Sequence, residues 1–203
     1  MSISSLLIER IKMRELEEFI QSGEVIAPDI VKIDHFLNHQ INIKLLKKMG
    51  EAFKQRFQDV TVEKIVTMET SGIAVAVIAS LYFDDVPVVY IKKEKSAITS
   101  DHMLETPVHS FTKNKDYISC LDGRYIKKGE HVLLIDDFLA NGAALKGMIS
   151  LVEEAGGIVN GVGIVVEKAF MNGRKPFEEK GYRIESLARI ESVEEGVVTF
   201  KKG

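Results

Sequence analysis

Two adjacent aspartates, Asp136 and Asp137, follow an apolar run and precede a turn of small residues in the stretch LLIDDFLANGAALKG, 133–147. The apolar run predicts a buried strand, and the residues from about Gly142 to Ala155 predict a helix. Such a turn points main-chain amides at the carboxyl edge of a parallel sheet, where ligands of open α/β folds bind. The residues that offer these amides with little side-chain bulk are Ala140, Asn141, Gly142, Ala143 and Ala144.

Amides at the start of a helix favour a phosphate group. No lysine follows Gly142 as it does in a Walker loop, so the turn suits a terminal phosphate monoester better than the β and γ phosphates of a nucleotide. The two aspartates would repel each other unless sugar hydroxyls or a cation met them. We therefore expect a ribose 5-phosphate group here, with Mg²⁺ close by. The residues alone leave a second interpretation equally open, in which the aspartates merely end the strand and the small residues let the helix pack closely.

A second strand-to-helix turn, Glu69-Thr70-Ser71-Gly72, follows the strand-like run KIVTM at 64–68. Its amides, with Ser71 and Gly72, are placed to face a pyrophosphate, although a helix cap followed by a glycine turn explains the same residues equally well. Three lysines, Lys92, Lys93 and Lys95, lead into residues 94–106, which have no apolar period. We expect this segment to be functional or disordered, because a long aperiodic connection is unusual in a compact domain.

The elements that must position these turns alternate between strand-like and helix-like patterns from residue 42 onwards, as in an α/β fold with a mostly parallel sheet covered on both faces. Asn42 is placed to cap a helix, and an amphipathic helix is expected over residues 1–23. A hairpin is expected over residues 108–121. The later predicted strands are HVLLID at 131–136, IVNGVGIVVEK at 158–168, YRIESLARI at 182–190 and a terminal edge strand in GVVTF at 196–200.

Composition limits the classes of partner. The chain has 203 residues, 45% of them hydrophobic, which suits a single domain, and a formal charge of −3 gives it no overall field for nucleic acid or an anionic membrane. No apolar run is long enough to predict a membrane span. The single cysteine, Cys120, fits a reducing cytoplasm. The five histidines show no metal-ligand spacing, so we expect no metal site made by the protein alone.

Several motifs occur together and in order: FLNHQI at 36–41, ETSGIA at 69–74, HSFT at 109–112, IDDFLANGAA at 135–144 and VVEKAF at 165–170. In this combination the chain resembles the bacterial xanthine phosphoribosyltransferases, which belong to the type I phosphoribosyltransferase family. The likeness runs from about residue 24 to the end. It implies the type I fold, with a small hood built from residues 24–41 and 166–203 over the central sheet, and with residues 94–106 as a flexible lid.

The resemblance also implies a reaction and its residues. Family members transfer the phosphoribosyl group of phosphoribosyl pyrophosphate (PRPP) to N9 of xanthine, with Mg²⁺ bound mainly through PRPP, and are usually homodimers. Asp136 and Asp137 would be the catalytic pair. Xanthine would be bound by Val31, Asn38, Lys168 and Phe170. PRPP would be bound by Ala140, Asn141, Gly142, Ala143, Ala144, Ser71, Gly72, Lys92 and Lys95.

Two other functions stay open. One is a preference for guanine or hypoxanthine, whose enzymes in some cases place an acid where this chain has Ala140. The other is a PRPP-sensing regulator, which would normally carry a DNA-binding module for which this chain has neither room nor a basic patch.

Overall fold

The computed structural model describes residues 13–26, 30–94, 101–110 and 115–201. Its main sheet has six strands in the order β10-β9-β8-β7-β3-β4, which are β3 (Lys64–Met68), β4 (Val88–Ile91), β7 (His131–Leu139), β8 (Ile158–Lys168), β9 (Ile184–Glu194) and β10 (Val197–Phe200). All neighbouring pairs are parallel except β9 with β10. The predicted α/β class, with a mostly parallel sheet and a C-terminal edge strand, is confirmed.

Five α-helices occur in the described part of the chain: α1 (Arg14–Ser22), α2 (Ile43–Arg56), α3 (Ser71–Ser80), α4 (Ala143–Glu154) and α5 (Lys175–Glu178). The predicted cap of α2 is present, since Asn42 Oδ1 accepts a hydrogen bond of 3.1 Å from the Leu45 amide. Helix α1 ends before Gly23 as predicted, whereas residues 1–12 of that prediction lie outside the described residues. No described helix is long and apolar enough to cross a membrane.

The sheet is buried on both faces, as the long apolar strands require. Along β7, Leu133 and Ile135 belong to a core with α1, α2 and α3, whereas Val132 and Leu134 belong to a second core with α4. Alternate residues of one strand thus fill opposite cores. This arrangement fixes the register of β7, because a slip of one residue would exchange the two sets.

The second core is covered in part by a hairpin made of β5 (Met103–Ser110) and β6 (Lys115–Asp122), which pairs antiparallel from Met103↔Asp122 onwards. The hairpin was predicted over 108–121, and it is longer than that. Residues 103–106, which were assigned to the lid, are therefore strand. The cause is tertiary, because Val108 and Thr106 pack against Gly147 of α4 and Leu104 joins the second core. Residues 95–100 of the predicted lid lie outside the described residues.

Residues 24–41, in which the sequence suggested no regular elements, contain two short strands and a tight helical turn. Strands β1 (Val25–Ile26) and β2 (Ile30–Val31) pair antiparallel, and a π-helical turn covers Asp34–Asn38. Helix α1 packs on β9 and β10, where Gln21 Nε2 donates to the carbonyl of Val198 at 3.3 Å. The N-terminal and C-terminal segments of the described chain are therefore in contact.

Two glycines of β8 make room for α2. A Cβ added at Gly163 would lie 2.8 Å from the ring of Phe53, and one at Gly161 would touch the ring of Phe57. Both rings are fully buried. Because a real Cβ does not approach that closely, the helix sits on the sheet at a distance that only glycine permits at these positions.

We expect Gly163→Ala to lower the free energy of unfolding by about 1–3 kcal/mol, as overpacking of a buried contact does. Without a clash, alanine would stabilise a strand by about 0.5–1 kcal/mol relative to glycine. A lower free energy of unfolding would therefore report the clash of the new Cβ with Phe53. Urea unfolding at neutral pH measures the change. The double variant Gly163→Ala/Phe53→Leu should lose less than the sum of its single variants, because leucine removes the ring edge. Simple additivity would contradict this explanation.

Candidate functional site

Three loops meet at the carboxyl ends of neighbouring parallel strands. They follow β3, β7 and β8, which lie side by side in the sheet. The phosphate loop is defined as residues 140–144, after β7, and the β8 loop as residues 169–174. The pairing of β7 with both neighbours brings all three loops to one edge, the usual place for a ligand in an open α/β sheet.

The phosphate loop has the conformation that the small residues predicted. Gly142 adopts a left-handed backbone, with φ of 87°, and α4 begins at the next residue. Asn141 Oδ1 accepts a hydrogen bond of 3.0 Å from the Ala143 amide. One of the five predicted amide donors is therefore engaged within the loop itself, and its bond helps to fix the shape that the remaining amides share.

The loop after β3 reaches the same place. Helix α3 begins at Ser71, and a Cβ on Gly72 would overlap the hydroxyl of Thr67 and lie 3.0 Å from Asp136 Oδ1. The peptide bond between Glu69 and Thr70 is cis. The Glu69 carboxylate accepts a hydrogen bond from the Lys93 amide, which ties this loop to the end of β4. Gly72 thus lies beside Asp136, one residue after Ser71 begins the helix.

The aspartates are placed differently from the prediction. They were expected where the strand gives way to the loop, but β7 continues to Leu139, because Phe138 and Leu139 still pair with Val166 and Glu167 of the long strand β8. Each carboxylate accepts a hydrogen bond from the amide that follows it, at 3.0 Å for Asp136 and 2.9 Å for Asp137.

The two carboxyl groups have unequal environments. Asp136 is only 5% exposed, whereas Asp137 is half-buried. Burial raises the pKa of Asp136 well above its usual value, and the charge of Asp137 raises it further; the hydrogen bond from the Asp137 amide and the charge of Lys93 oppose the shift. The pair therefore contains one carboxyl group that favours its neutral form and one that water can reach.

Three further residues surround Asp136 that the sequence did not single out for a role. Lys93 stood in a charge run, yet its ammonium group lies near Asp136 and 5.8 Å from the ring centroid of Tyr117. Tyr117 of β6 donates a hydrogen bond of 3.4 Å to Met68 Sδ, and burial followed by the charge of Asp136 raises its pKa. The Thr67 hydroxyl is buried and has no hydrogen-bond partner among the described residues. A polar residue within the apolar strand KIVTM was the only sequence signal.

The predicted base-binding residues lie on two separate parts of the chain. Lys168 ends β8 and is half-buried, and Phe170 follows on a short helical turn with 38% of its surface exposed. Val31 is buried on β2 in the same core as Val166. Asn38 is exposed at the end of the π-helical turn, which contacts α3.

The two predicted lysine contacts to PRPP differ in what the structure describes. Lys92 is exposed, and its main chain exchanges hydrogen bonds of 3.0 and 2.8 Å with that of Cys120. Lys95 lies outside the described residues.

Across the described ranges no three His, Cys, Asp or Glu side chains come together as a metal site. The two aspartates could therefore assist a metal ion that arrives with its ligand, but they form no full coordination shell.

Comparison with known proteins gives this geometry a context. Residues 38–199 match the family described as the phosphoribosyl transferase domain. The chain is 51% identical over 185 residues to xanthine phosphoribosyltransferase 1 of Clostridium perfringens, covering 91% of this chain and 97% of that protein. It is 50% identical over 194 residues to the xanthine phosphoribosyltransferase of Clostridium novyi, covering 96% and 100%, respectively. The resemblance seen in the sequence motifs is confirmed.

Solved structures agree on the fold. The adenine phosphoribosyltransferase of Thermoanaerobacter pseudethanolicus superposes with a TM-score of 0.72 at 21% identity, covering 87% of this chain and 99% of that one. The adenine phosphoribosyltransferase of Rhodothermus marinus gives 0.71 at 23% identity, with the same coverage. At this level of identity the likeness establishes the fold, and the type I fold expected from the sequence is confirmed.

We expect Asp136→Asn to stabilise the free protein at pH 7–8 by roughly 1–3 kcal/mol. The folded-state pKa is raised, so the folded protein retains a proton that the unfolded chain releases. Wild-type stability is therefore lost as pH rises from the unfolded pKa through the folded one. Asparagine undergoes no such loss, and the advantage of the variant should shrink towards pH 4. Urea unfolding across this pH range measures it.

Asp137→Asn is the matched control, because the same chemical change at the half-buried neighbour removes much less burial of charge. A stability gain at Asp136 that did not depend on pH, or one that Asp137→Asn reproduced in full, would contradict the assignment of a costly buried carboxyl group to Asp136.

Proposed function

This chain belongs to the phosphoribosyltransferase family, and we propose that it transfers the 5-phosphoribosyl group of PRPP to N9 of xanthine, producing xanthosine 5′-monophosphate and pyrophosphate. The observation that carries the proposal is the meeting of the phosphate loop, Gly72 and the Asp136–Asp137 pair at one sheet edge, in a chain about half identical to proteins named for this activity.

The phosphate loop would hold the 5-phosphate. Gly142 adopts a left-handed backbone directly before α4, and the positive end of the α4 dipole would favour a dianion at this turn. Ser71 and Gly72, at the start of α3, would face the pyrophosphate in the same way. The first turns of α4 and α3, which follow adjacent strands, would thus match the 5-phosphate and the pyrophosphate of PRPP.

The aspartates would act on the ribose. Cleavage of the bond between C1 and the pyrophosphate oxygen leaves positive charge on the ring, and a carboxylate fixed beside it stabilises that charge. The half-buried Asp137 suits this task and can accept hydrogen bonds from the ribose hydroxyls. Asp136, which is more deeply buried, would accept or donate a hydrogen bond according to its protonation.

Magnesium fits this donor set as an ion carried in by PRPP, because the described residues supply two neighbouring carboxylates and no third ligand. When bound, Mg²⁺ would neutralise charge on the departing pyrophosphate. The residues of the chain bind the sugar phosphate, orient C1 and exclude water. Lys93, close to Asp136, adds a positive charge at the same edge.

The base would lie between the β8 end and residues 31–38. Lys168 can donate a hydrogen bond to a purine oxo group and cannot accept one, which favours xanthine, guanine or hypoxanthine over adenine. Asn38 would contact a second oxo group, Phe170 would stack on the ring and Val31 would pack beside it. Val31 and Phe36 share a buried core with Leu187 and Val198, which supports a hood of residues 24–41 and 166–203. The chain around Lys92 and Lys95 would lead into the lid.

We extend the proposal to a cytoplasmic homodimer. Support for an association surface comes from α3, on which Val77 and Leu81 are exposed hydrophobic residues. The lone Cys120 is a buried thiol, which is consistent with a reducing compartment.

The direct test supplies purified protein, PRPP and Mg²⁺ with xanthine, guanine, hypoxanthine or adenine in turn and follows nucleotide formation. We expect the highest kcat/KM with xanthine and no more than trace turnover with adenine, because Lys168 offers no acceptor to the exocyclic amine. A higher kcat/KM with guanine or hypoxanthine would overturn the substrate. PRPP binding without any turnover would instead favour the regulatory alternative.

Asp137→Asn should lower kcat by about 100-fold or more while the affinity for xanthine changes little, because charge stabilisation acts in the transition state rather than on the bound base. Initial rates at saturating PRPP give kcat, and calorimetric titration with xanthine gives the affinity. Asp116→Asn is the control, since Asp116 is an exposed aspartate of the hairpin that pairs with His109. Near-normal turnover in Asp137→Asn would remove the catalytic role.

A further inference from the structure

The phosphate loop and the β8 loop touch through their main chains. A Cβ on Gly173 would overlap the carbonyl oxygen of Ala140 and lie 2.8 Å from the carbonyl carbons of Ala140 and Asn141. The approach is mutual, because a Cβ on Gly142 would lie 2.8 Å from the Gly173 carbonyl and 2.6 Å from the ring of Phe177. With no side chain between them, a shift of one loop must displace the other.

The β8 loop also connects to the base. It begins directly after Lys168, carries Phe170 and ends at Arg174. Lys168 and Phe170, which would face xanthine, are therefore at most five positions from Gly173, which contacts the phosphate loop. Asn172 has a positive φ of 54°, so the segment contains a sharp turn that must be held by other contacts.

Those contacts converge on one buried ion pair. Arg174 Nε donates to Glu167 Oε1 at 3.0 Å, and Arg174 Nη2 donates to Oε2 at 2.5 Å, which closes a two-point bridge from the end of the loop to the end of β8. Glu167 is 2% exposed. Ser186 Oγ donates to the same carboxylate at 2.6 Å, and Arg174 Nη1 donates to the Ile184 carbonyl at 2.7 Å.

The charges of this pair are matched inside the protein. Burial alone would raise the pKa of Glu167, but hydrogen bonds from Arg174 and Ser186 and the charges of Arg174 and Arg189 lower it overall. Removal of Arg174 would leave the buried Glu167 carboxylate with Arg189 and Ser186 as partners, and removal of Glu167 would leave Arg174 paired, among the described acidic residues, only with the more exposed Glu178. Because the bridge has two hydrogen bonds, it also fixes the orientation of the Arg174 guanidinium group relative to the Glu167 carboxylate, which a single contact would not do.

We propose that Glu167 and Arg174 form a positioning pair that clamps the β8 loop at both ends and thereby holds Lys168 and the phosphate loop in one arrangement, so that the base and PRPP subsites are mechanically coupled. The proposal rests on the phosphoribosyl transfer proposed above. Neither residue is among those proposed to contact xanthine or PRPP. Their effect passes through Lys168 on one side and through Gly173 against Ala140 on the other.

The coupling has a kinetic signature that a merely structural role lacks. Arg174→Lys keeps the charge but loses the two-point bridge. We expect it to raise KM for PRPP and KM for xanthine together, each by about 10-fold, because small displacements of positioned groups have large effects. Lys168→Ala should raise KM for xanthine by a similar factor and leave KM for PRPP within about twofold. Equal KM values for wild type and Arg174→Lys would overturn the proposal.

Glu178→Gln is the matched control. Glu178 accepts a hydrogen bond of 3.0 Å from Arg174 Nη1, but it is largely exposed and lies outside the clamp. It should leave both KM values unchanged. If Glu178→Gln shifted them as much as Arg174→Lys does, general charge balance rather than the clamp would be responsible, and the proposal would fail.

Calorimetric titration with ribose 5-phosphate separates this inference from the proposed function. Wild-type protein that does not bind the probe would refute the phosphate site itself. If wild type binds it, Arg174→Lys should bind about 10-fold more weakly, and equal binding would refute only the coupling. If thermal melting shows that Arg174→Lys is not folded, Gly173→Ala provides a second test of the coupling between the two loops. This variant leaves the Glu167–Arg174 ion pair intact and displaces the Ala140 carbonyl of the phosphate loop. Wild-type affinity in Gly173→Ala would then overturn the proposal.

Discussion

Parallel pairing of β7 with β3 on one side and β8 on the other is the constraint on which the rest of the structure depends. It brings three loops that are far apart in the sequence to one edge of the sheet. The pairing itself is maintained by two cores, because alternate residues of β7 are buried against α2 and α3 on one face and against α4 on the other. Close approach at Gly161 and Gly163 sets how near α2 lies to this sheet.

That same strand carries the largest electrostatic cost in the site. Apolar strands exclude water from Asp136, and a second carboxyl group follows directly, so the free protein holds a group whose charged form is disfavoured. Lys93 and the Asp137 amide recover part of the cost. Buried polar groups that lack partners until a ligand binds lower the stability of the free protein, and such a cost is common at functional sites. The buried, unpartnered hydroxyl of Thr67 next to Gly72 belongs to the same pattern.

The loops at the sheet edge are also joined to one another. Glu69 binds the Lys93 amide, Gly72 lies against Asp136, and Gly173 lies against Ala140. In each case a small residue or a main-chain group makes the contact, so little side-chain freedom separates the loops. Preorganisation of this kind lowers the entropy cost of holding two substrates in a reactive geometry. The hairpin β5–β6 reaches the same edge, because its Tyr117 hydroxyl donates a hydrogen bond to Met68 Sδ at the end of β3.

The sequence by itself determined the α/β class, the order of the main strands and helices from residue 42 onwards, and the motifs of the phosphate loop and the aspartate pair. These are local signals: apolar period, the Asn42 cap, small residues after a strand and glycines at turns. Tertiary structure alone decided that β7 extends past both aspartates, since strand length depends on β8, and that residues 103–106 pair in a hairpin. It also decided which charges meet. Lys93 was one lysine in an ordinary run until the fold brought it near Asp136. Glu167 and Arg174, seven positions apart, were an unremarked acid and base until the fold buried Glu167 beside Arg174 and Ser186. Burial and long-range contact, which set pKa values and fix loops, have no period along the chain from which they could be read.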